Sequence, residues 1–356
     1  MGVLCRKLRG CLRQQKIADL PPERLESVPA FTYVAIDAFG PFYIHDGIGT
    51  RRTKASKKIY AVIFVCMPSR AVHIEPLHAM DVTSFRNALT RFTSLRGTCK
   101  SIFSDQGTNF VCARRQINEA LSLKDIAGDL VQEEVSWKLN TPQASHQAGH
   151  VERKIGLVRK VMDASLLLVH QRPLSRDEFY TFLAEAASIV NNIPLWSATE
   201  DPNDPTPLSP AMLLTMKETP NPPSLEQFTE EDILSYGPRR YRRVKALSEH
   251  FWQRWKSEYL HSLQLRHKWK KARPCVSEGD FVLIKTKNVL RNRWTTGRVS
   301  SVKPSADGLV RSVSLVIPPL PGSDKTRTIQ RAIADLVMLL PSQSHPRDSS
   351  TASKAT

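Results

Sequence analysis

The chain has 356 residues, is 41% hydrophobic, and carries 51 Lys+Arg against 34 Asp+Glu, a net charge of +17. That length allows two domains or three small ones. Its apolar runs are strand-length, Ile59–Met67 being among the longest, and the basic first twenty residues have no apolar core, so membrane-spanning and secreted classes are excluded. Six cysteines without a CxxC pair argue against a disulfide scaffold or a self-contained zinc finger, and for a reducing compartment.

From residue 31 the hydrophobic periodicity is readable. Tyr33–Phe39 is an apolar strand interrupted by Asp37, with Gly40-Pro41 after it. Ile59–Met67 and Ala71–Leu77 are two more strands joined by the Pro68-Ser69 turn, which predicts an antiparallel meander. Asp81 is an N-cap for a helix carrying Val82, Phe85, Leu89, Phe92 and Leu95, stopped at Gly97. A short strand, Ser101–Ser104, runs into Asp105-Gln106-Gly107; a helix is expected after Asn109 and a fifth strand over Glu134–Leu139. A long helix starts near Gly149 and extends to about His170, with Val151, Ile155, Val158, Met162 and Leu166 on one face, and another covers Arg176–Asn191. This order predicts an α/β fold with acidic residues borne on strands.

Eight prolines in residues 194–223 predict an extended connection. Beyond it, Pro238–Lys271 reads as a basic helical segment, followed by short strands over Asp280–Lys285, Gly297–Lys303 and Val310–Val316 that suit a small β-barrel with a turn at Asp307-Gly308. Residues from Pro341 are rich in Ser, Thr and Pro and are expected to be disordered. Ser235 to Arg331 holds 22 basic and 6 acidic residues, so +16 of the +17 lies there, interleaved with Tyr241, Phe251, Trp252, Trp255, Trp269 and Trp294. So local an excess points to a polyanion partner, nucleic acid above all. Trp252, Trp255 and Trp269 are read as helix-packing residues.

Asp37, Asp105 and Glu152 stand out by placement. A carboxylate within an apolar strand is costly without a partner. If the first and fourth strands are neighbours and the long helix packs across them, the three acids converge. Like charges that close resist ionising together, whereas Mg²⁺ or Mn²⁺ suits an all-oxygen donor set. Two such ions can clamp an in-line phosphoryl displacement, Asp37 bridging both, Asp105 holding one and Glu152 the other. Taken singly, each acid reads better as a cap or a solvated surface residue than as a catalytic group.

The runs YVAIDAFGPF (33–42), RAVHIEPLHAMDVTSFRNALTRF (70–92), SDQGTNF (104–110) and TPQASHQAGHVERKIGLVRK (141–160) together resemble retroelement integrases, most closely those of BEL/Pao-type LTR retrotransposons. HFWQRWKSEYLHSLQLRHKW (250–269), GDFVLIKTKNVLRNRWTTGRV (279–299) and DGLVRSV (307–313) resemble the C-terminal part of the same elements. The resemblance implies an RNase H-like catalytic core, a mixed five-stranded sheet with helices, followed by a basic helical segment and a small SH3-like β-barrel. It implies two transesterifications, trimming of a cDNA 3′ end and its joining to target DNA, with Asp37, Asp105 and Glu152 as catalytic and metal-binding residues. Arg159, and after it Lys160, are assigned to phosphate near the metals, although solvated charge on an amphipathic helix explains each as well. Further DNA contacts are expected from Arg239, Arg240, Arg242, Arg243, Arg266, Lys268, Lys270, Lys271, Trp294 and Arg298. Six such contacts would give a log–log salt slope of roughly −5.

Three departures from the family accompany the match. The 46 residues between Asp105 and Glu152 exceed the retroviral spacing, with the excess expected near 113–133, and His150 replaces a usual glycine. His146 matches a family position and reads as structural. LCRKLRG (4–10) resembles the end of a zinc-binding domain in which only Cys5 fits a ligand position, so no zinc is predicted. The expected organisation is a zinc-domain remnant (1–25), catalytic core (28–195), Pro-rich linker (196–235), basic helical plus SH3-like DNA-binding domain (236–340) and tail (341–356). Expected partners are double-stranded DNA and further copies of the chain, with no membrane, in the nucleus after cytoplasmic synthesis. The alternatives are a host-retained or fragmentary DNA-binding protein without catalysis, and an RNase H-like nuclease.

Overall fold

A computed structural model describes residues 21–45, 56–104, 136–139, 149–170, 172–197, 207–217, 228–234, 240–263, 276–286, 289–304, 310–318 and 326–342. The expected helix after Asn109, the excess near 113–133, the zinc-domain remnant around Cys5, Trp269, the Asp307-Gly308 turn and the tail beyond Ser342 lie outside the described residues.

Strands β1 (Tyr33–His45), β2 (Ser56–Cys66) and β3 (Val72–Leu77) form the antiparallel meander that their apolar runs predict. β1 continues past Phe39 because its pairing with β2 absorbs an irregularity between Phe39 and Phe42. Gly40 makes this possible: its φ is +126°, and a Cβ there would meet the Tyr60 ring at 3.1 Å and the Ile59 carbonyl at 3.2 Å. Helix α1 (Val82–Arg96) starts at Asp81, whose carboxylate accepts from the Ser84 amide at 2.7 Å, and ends at Gly97 with φ +83°. β4 (Ser101–Ser104) runs parallel to β1, and β5 (Ser136–Leu139) parallel to β4. The resulting sheet order is β3-β2-β1-β4-β5, a mixed sheet with helices.

Helix α2 (Gly149–Leu167) follows, then β6 (Leu174–Ser175), which bridges the far end of β1, and α3 (Arg176–Asn191). Ser175 and Glu178 close a capping box at the start of α3. At its other end the Asn191 amide accepts from the Val72 N–H (2.7 Å) and donates to the Val72 carbonyl (2.8 Å), satisfying backbone on the edge strand.

Where the Pro-rich stretch is described, it carries short elements that its composition does not predict. Two-residue strands β7 (Trp196–Ser197) and β8 (Pro207–Leu208) pair, and α4 (Pro210–Thr215) follows, capped by Ser209 with proline in its first turn. Proline is tolerated there because a first-turn N–H has no helical acceptor. Next come the single turn α5 (Glu230–Ile233) and the long helix α6 (Arg240–Leu263).

α6 departs from the expected domain plan. Its Val244, Leu247, Phe251, Trp252 and Trp255 are buried in the same core as Val151, Ile155, Val158 and Met162 of α2 and Phe179, Phe182 and Ala186 of α3. The basic helix therefore belongs to the layer covering the sheet, and Trp252 and Trp255 pack in that core as expected. Charge counting sums over every face of a helix, whereas burial selects one stripe. Burying a side chain such as Phe251 contributes about 1.5–3 kcal/mol. α1 covers the opposite sheet face through Phe85, Ala88 and Phe92.

The C-terminal strands β9 (Phe281–Ile284), β10 (Thr295–Pro304), β11 (Val310–Ile317), β12 (Arg327–Ala332) and β13 (Leu336–Leu340) form an antiparallel sheet of order β12-β11-β10-β9-β13. The last two were not apparent from periodicity. A 3₁₀ turn, Ile333–Asp335, joins β12 to β13, and Val282, Ile284, Val299, Val313, Leu315, Ile317 and Leu336 make a separate core. No helix among the described residues is long and apolar enough to cross a membrane.

Candidate active site and nucleic-acid interface

Strand alternation decides which way each acid faces. On β1, Val34 and Ile36 pack in the core beneath α1, while Ala35 and Phe39 pack in the core beneath α2, α3 and α6. Asp37, between Ile36 and Ala38, therefore faces the α2 side; it is half-buried and its Oδ1 accepts from the Ala38 N–H at 2.8 Å. β4 alternates in the same way. Ile102 packs on the α1 side and Phe103 on the α2 side, while buried Ser104 accepts from the Trp137 indole at 2.9 Å. Ala35 of β1 is the register partner of Phe103. Asp105 follows Ser104 in the chain and lies outside the described residues, as does His146.

Glu152 sits in the first turn of α2, exposed and with no ion pair among the described residues. Its neighbour Val151 packs in the same core as Ala35 and Phe39. The structure thus brings two of the three predicted acids to one layer. Among the described residues no three His, Cys, Asp or Glu side chains gather as a metal site. Asp37 and Glu152 still offer hard carboxylate oxygens of the kind divalent cations take.

Lys154 was not singled out by its sequence, where it is one of many lysines. The residue is half-buried and its ammonium donates to the Arg70 carbonyl. Burial, and then the Arg70 guanidinium, push its pKa down to about 7. Arg159 is exposed seven residues beyond Glu152, nearly two full turns and so on the same stripe. Asp163, one turn further, has its pKa raised by burial against the opposing pull of Arg159.

The remaining basic candidates separate sharply. Arg240 is exposed. Lys160 pairs with Glu258 of α6 at 2.8 Å, which makes it a strut between helices. Arg242 makes two contacts to Asp232, at 3.1 and 3.2 Å. Arg243 corrects the expectation outright. It is 2% exposed, donates to the Ile233 carbonyl at 2.8 Å and to the Arg172 carbonyl, and lies 3.5 Å from Glu178, so a phosphate cannot reach it. Trp294 is likewise turned inward, edge-on to Trp252 at 5.0 Å. Half-buried Arg298 donates to the Gly279 carbonyl at 3.2 Å. Arg239, Arg266, Lys268, Lys270, Lys271 and Cys5 lie outside the described residues.

The C-terminal sheet presents a polar face that its basic residues alone do not reveal. Because Val313, Leu315 and Ile317 point inward, Ser312 and Ser314 point outward. Register pairs Lys303 with Ser312, Ser301 with Ser314, and Ser314 with Gln330, so these groups share one surface. A separate cavity of about 540 Å³ lies between β3, α1, α3 and α4, lined by residues including His73, Arg91, Tyr180 and Leu214; neither Asp37 nor Glu152 lines it. There the Glu75 carboxylate is held below its usual pKa: burial opposes, but hydrogen bonds from His73 and Arg91 prevail.

Residues 239–339 match a family described as a family of unknown function (DUF5641). No curated protein matches the chain. Solved structures similar to it include the simian T-cell lymphotropic virus intasome in complex with the PP2A regulatory subunit B56 gamma, at 10% identity and a TM-score of 0.33, covering 88% of this chain and 83% of that one. Two others are retroviral integrase cores. The HTLV-2 integrase catalytic core domain in complex with magnesium, in a trimeric form, has 16% identity and a TM-score of 0.29 over 49% of this chain and 93% of that one. The BIV integrase catalytic core domain has 15% identity and a TM-score of 0.29 over 45% and 84%.

Proposed function

We propose that this chain is an integrase-type polynucleotidyl transferase that trims and joins DNA ends, of the kind carried by BEL/Pao-type retrotransposons, with an RNase H-like core. One observation carries the reading most strongly: parallel pairing of β1 with β4, with Asp37 facing the side covered by α2, the helix that bears Glu152. Ala35 pairs with Phe103, the last step of a parallel ladder that runs towards Asp37 on β1. Asp37, Asp105 and Glu152 are then the catalytic carboxylates, a donor set suited to two Mg²⁺ or Mn²⁺ ions. Bound there, such ions supply the positive charge that in-line phosphoryl displacement requires. The chain's own contribution is positional. The β1–β2 ladder holds the backbone of Asp37, the core residues of α2 hold that of Glu152, and Arg159 lies on the same stripe as Glu152, placed to meet phosphate.

The C-terminal sheet is read as SH3-like, supported by its strand order and by the 3₁₀ turn before a last strand that returns to pair with the first. Its outward Lys303, Ser301, Ser312, Ser314 and Gln330 suit backbone contacts to double-stranded DNA. Exposed Arg240 is proposed as a further phosphate contact, and Arg239, Arg266, Lys268, Lys270 and Lys271 are proposed as contacts from their charge alone. A homo-oligomer in the nucleus is part of the same proposal, because two DNA ends must be joined together.

The test is strand transfer by the purified chain with labelled linear DNA bearing element ends, a plasmid target, and Mg²⁺ or Mn²⁺, alongside Asp105→Asn. Joined products that vanish in the variant are expected. Cleavage without joining would support a nuclease, and salt-sensitive binding without either would support a non-catalytic DNA-binding protein.

A further inference from the structure

We propose that the C-terminal sheet is latched to the helical layer as one body, with Arg291 and Trp294 as docking residues and the Glu185 carboxylate as their electrostatic anchor. The 289–294 turn between β9 and β10 carries both docking groups. Arg291 is 7% exposed, and its Nη1 lies 3.2 Å from Oε2 of Glu185 on α3. The other oxygen of the same carboxylate receives the Lys245 ammonium from α6. A single glutamate thus serves cations from two further elements. Trp294 completes the seam, edge-on to Trp252 at 5.0 Å and to Tyr259 at 5.5 Å, and Lys256 of α6 donates to the Thr286 carbonyl just beyond β9 at 3.3 Å.

Beyond the Lys256 contact to the Thr286 carbonyl, polar groups at the seam make few hydrogen bonds among the described residues. Among the described residues, the indole N–H groups of Trp252, Trp255 and Trp294 and the Arg291 Nε and Nη1 are buried without a hydrogen-bond partner, so the Arg291–Glu185 contact is one of charge. Packing of the aromatic rings, one shared carboxylate and the Lys256–Thr286 hydrogen bond carry the contact. Removing that carboxylate leaves a buried guanidinium without its counter-charge, a costly arrangement. The functional consequence rests on the integrase reading: Glu185, Arg291 and Trp294 become positioning residues that fix the DNA-facing sheet relative to Asp37 and Glu152. The latch itself does not depend on that reading.

Hydrogen exchange of the full chain, read by mass spectrometry, tests it in wild type, Glu185→Gln and Trp294→Ala. In the wild type, peptides covering 289–294 and 252–259 should be protected together. Each variant should speed exchange in both peptides by about tenfold or more, while Val313–Ile317 keeps its protection. A 289–294 peptide that exchanges freely in the wild type, or a variant that loosens only one of the two peptides, overturns the latch. Should both variants lose protection everywhere, the wild-type pattern alone decides. No step reads DNA joining, so a chain with coupled protection but no strand transfer would sink the catalytic reading and leave the latch standing.

Discussion

Arg243→Met separates what charge counting predicts from what the fold shows. Methionine keeps an unbranched apolar stem but removes the donors to the Ile233 and Arg172 carbonyls and the partner of Glu178, whose side chain is only 7% exposed. Breaking a buried pair from one side costs about 3–5 kcal/mol. The lower end applies here, because the Arg243–Glu178 contact is long at 3.5 Å and Glu178 still accepts from the Ser175 N–H. A loss of about 3 kcal/mol lowers the melting temperature by roughly 6–12 °C for a unit of this size. Thermal unfolding followed by circular dichroism reads that fall, and DNA affinity across a salt series reads the second half of the argument. Since the guanidinium touches no phosphate, the salt slope should not change, whereas losing a true phosphate contact would reduce it by about 0.9. A variant that melts with the wild type while its slope drops by that amount would refute the burial argument.

Three further outcomes follow from local chemistry. Asp232 has its pKa lowered to about 2, first by the Arg242 hydrogen bond and then by the Thr229 N–H. Its contribution should therefore be fully present above the unfolded value near 3.9 and be lost as pH falls towards 2; Asp232→Asn should reduce stability at pH 7 and flatten the acid limb of a pH–stability curve. Burial pushes the Cys99 thiol up to about 11, so peptide mapping after alkylation at pH 8 should find Cys99 unmodified in the folded chain and modified in urea. Gly40→Ala forces a φ of +126° on a residue with a Cβ facing Tyr60 and Ile59, and urea unfolding should show a loss of about 1–3 kcal/mol.

The punctuation of the fold was legible in the residues. Asp81 and Gly97 bound α1, and α3 runs over Arg176–Asn191 as its periodicity predicts, because caps and apolar spacing act within a few residues. The placing of Asp37 on the α2 side was legible too, since a strand alternates by two and β1 pairs with β4. Several features were not. β7 and β8 lie in a stretch where proline density argued for extension, and β12 and β13 are too short or too polar to stand out.

The basic residues show most clearly where the sequence stops. The sequence by itself determined that this chain concentrates positive charge in its last third, which points to a polyanion, and that Asp37 and Glu152 sit on separate elements of an α/β order. Only the tertiary structure decided that Arg240 faces solvent, Arg242 meets Asp232 and Arg243 is buried on Glu178, three outcomes for neighbours within one helical turn. A helix advances 100° per residue, so adjacent charges meet different surroundings. Which of them meets a carboxylate, a carbonyl or water depends on elements far away in the chain, Glu178 and Arg172 among them. That information lies in packing and not in the local run of residues.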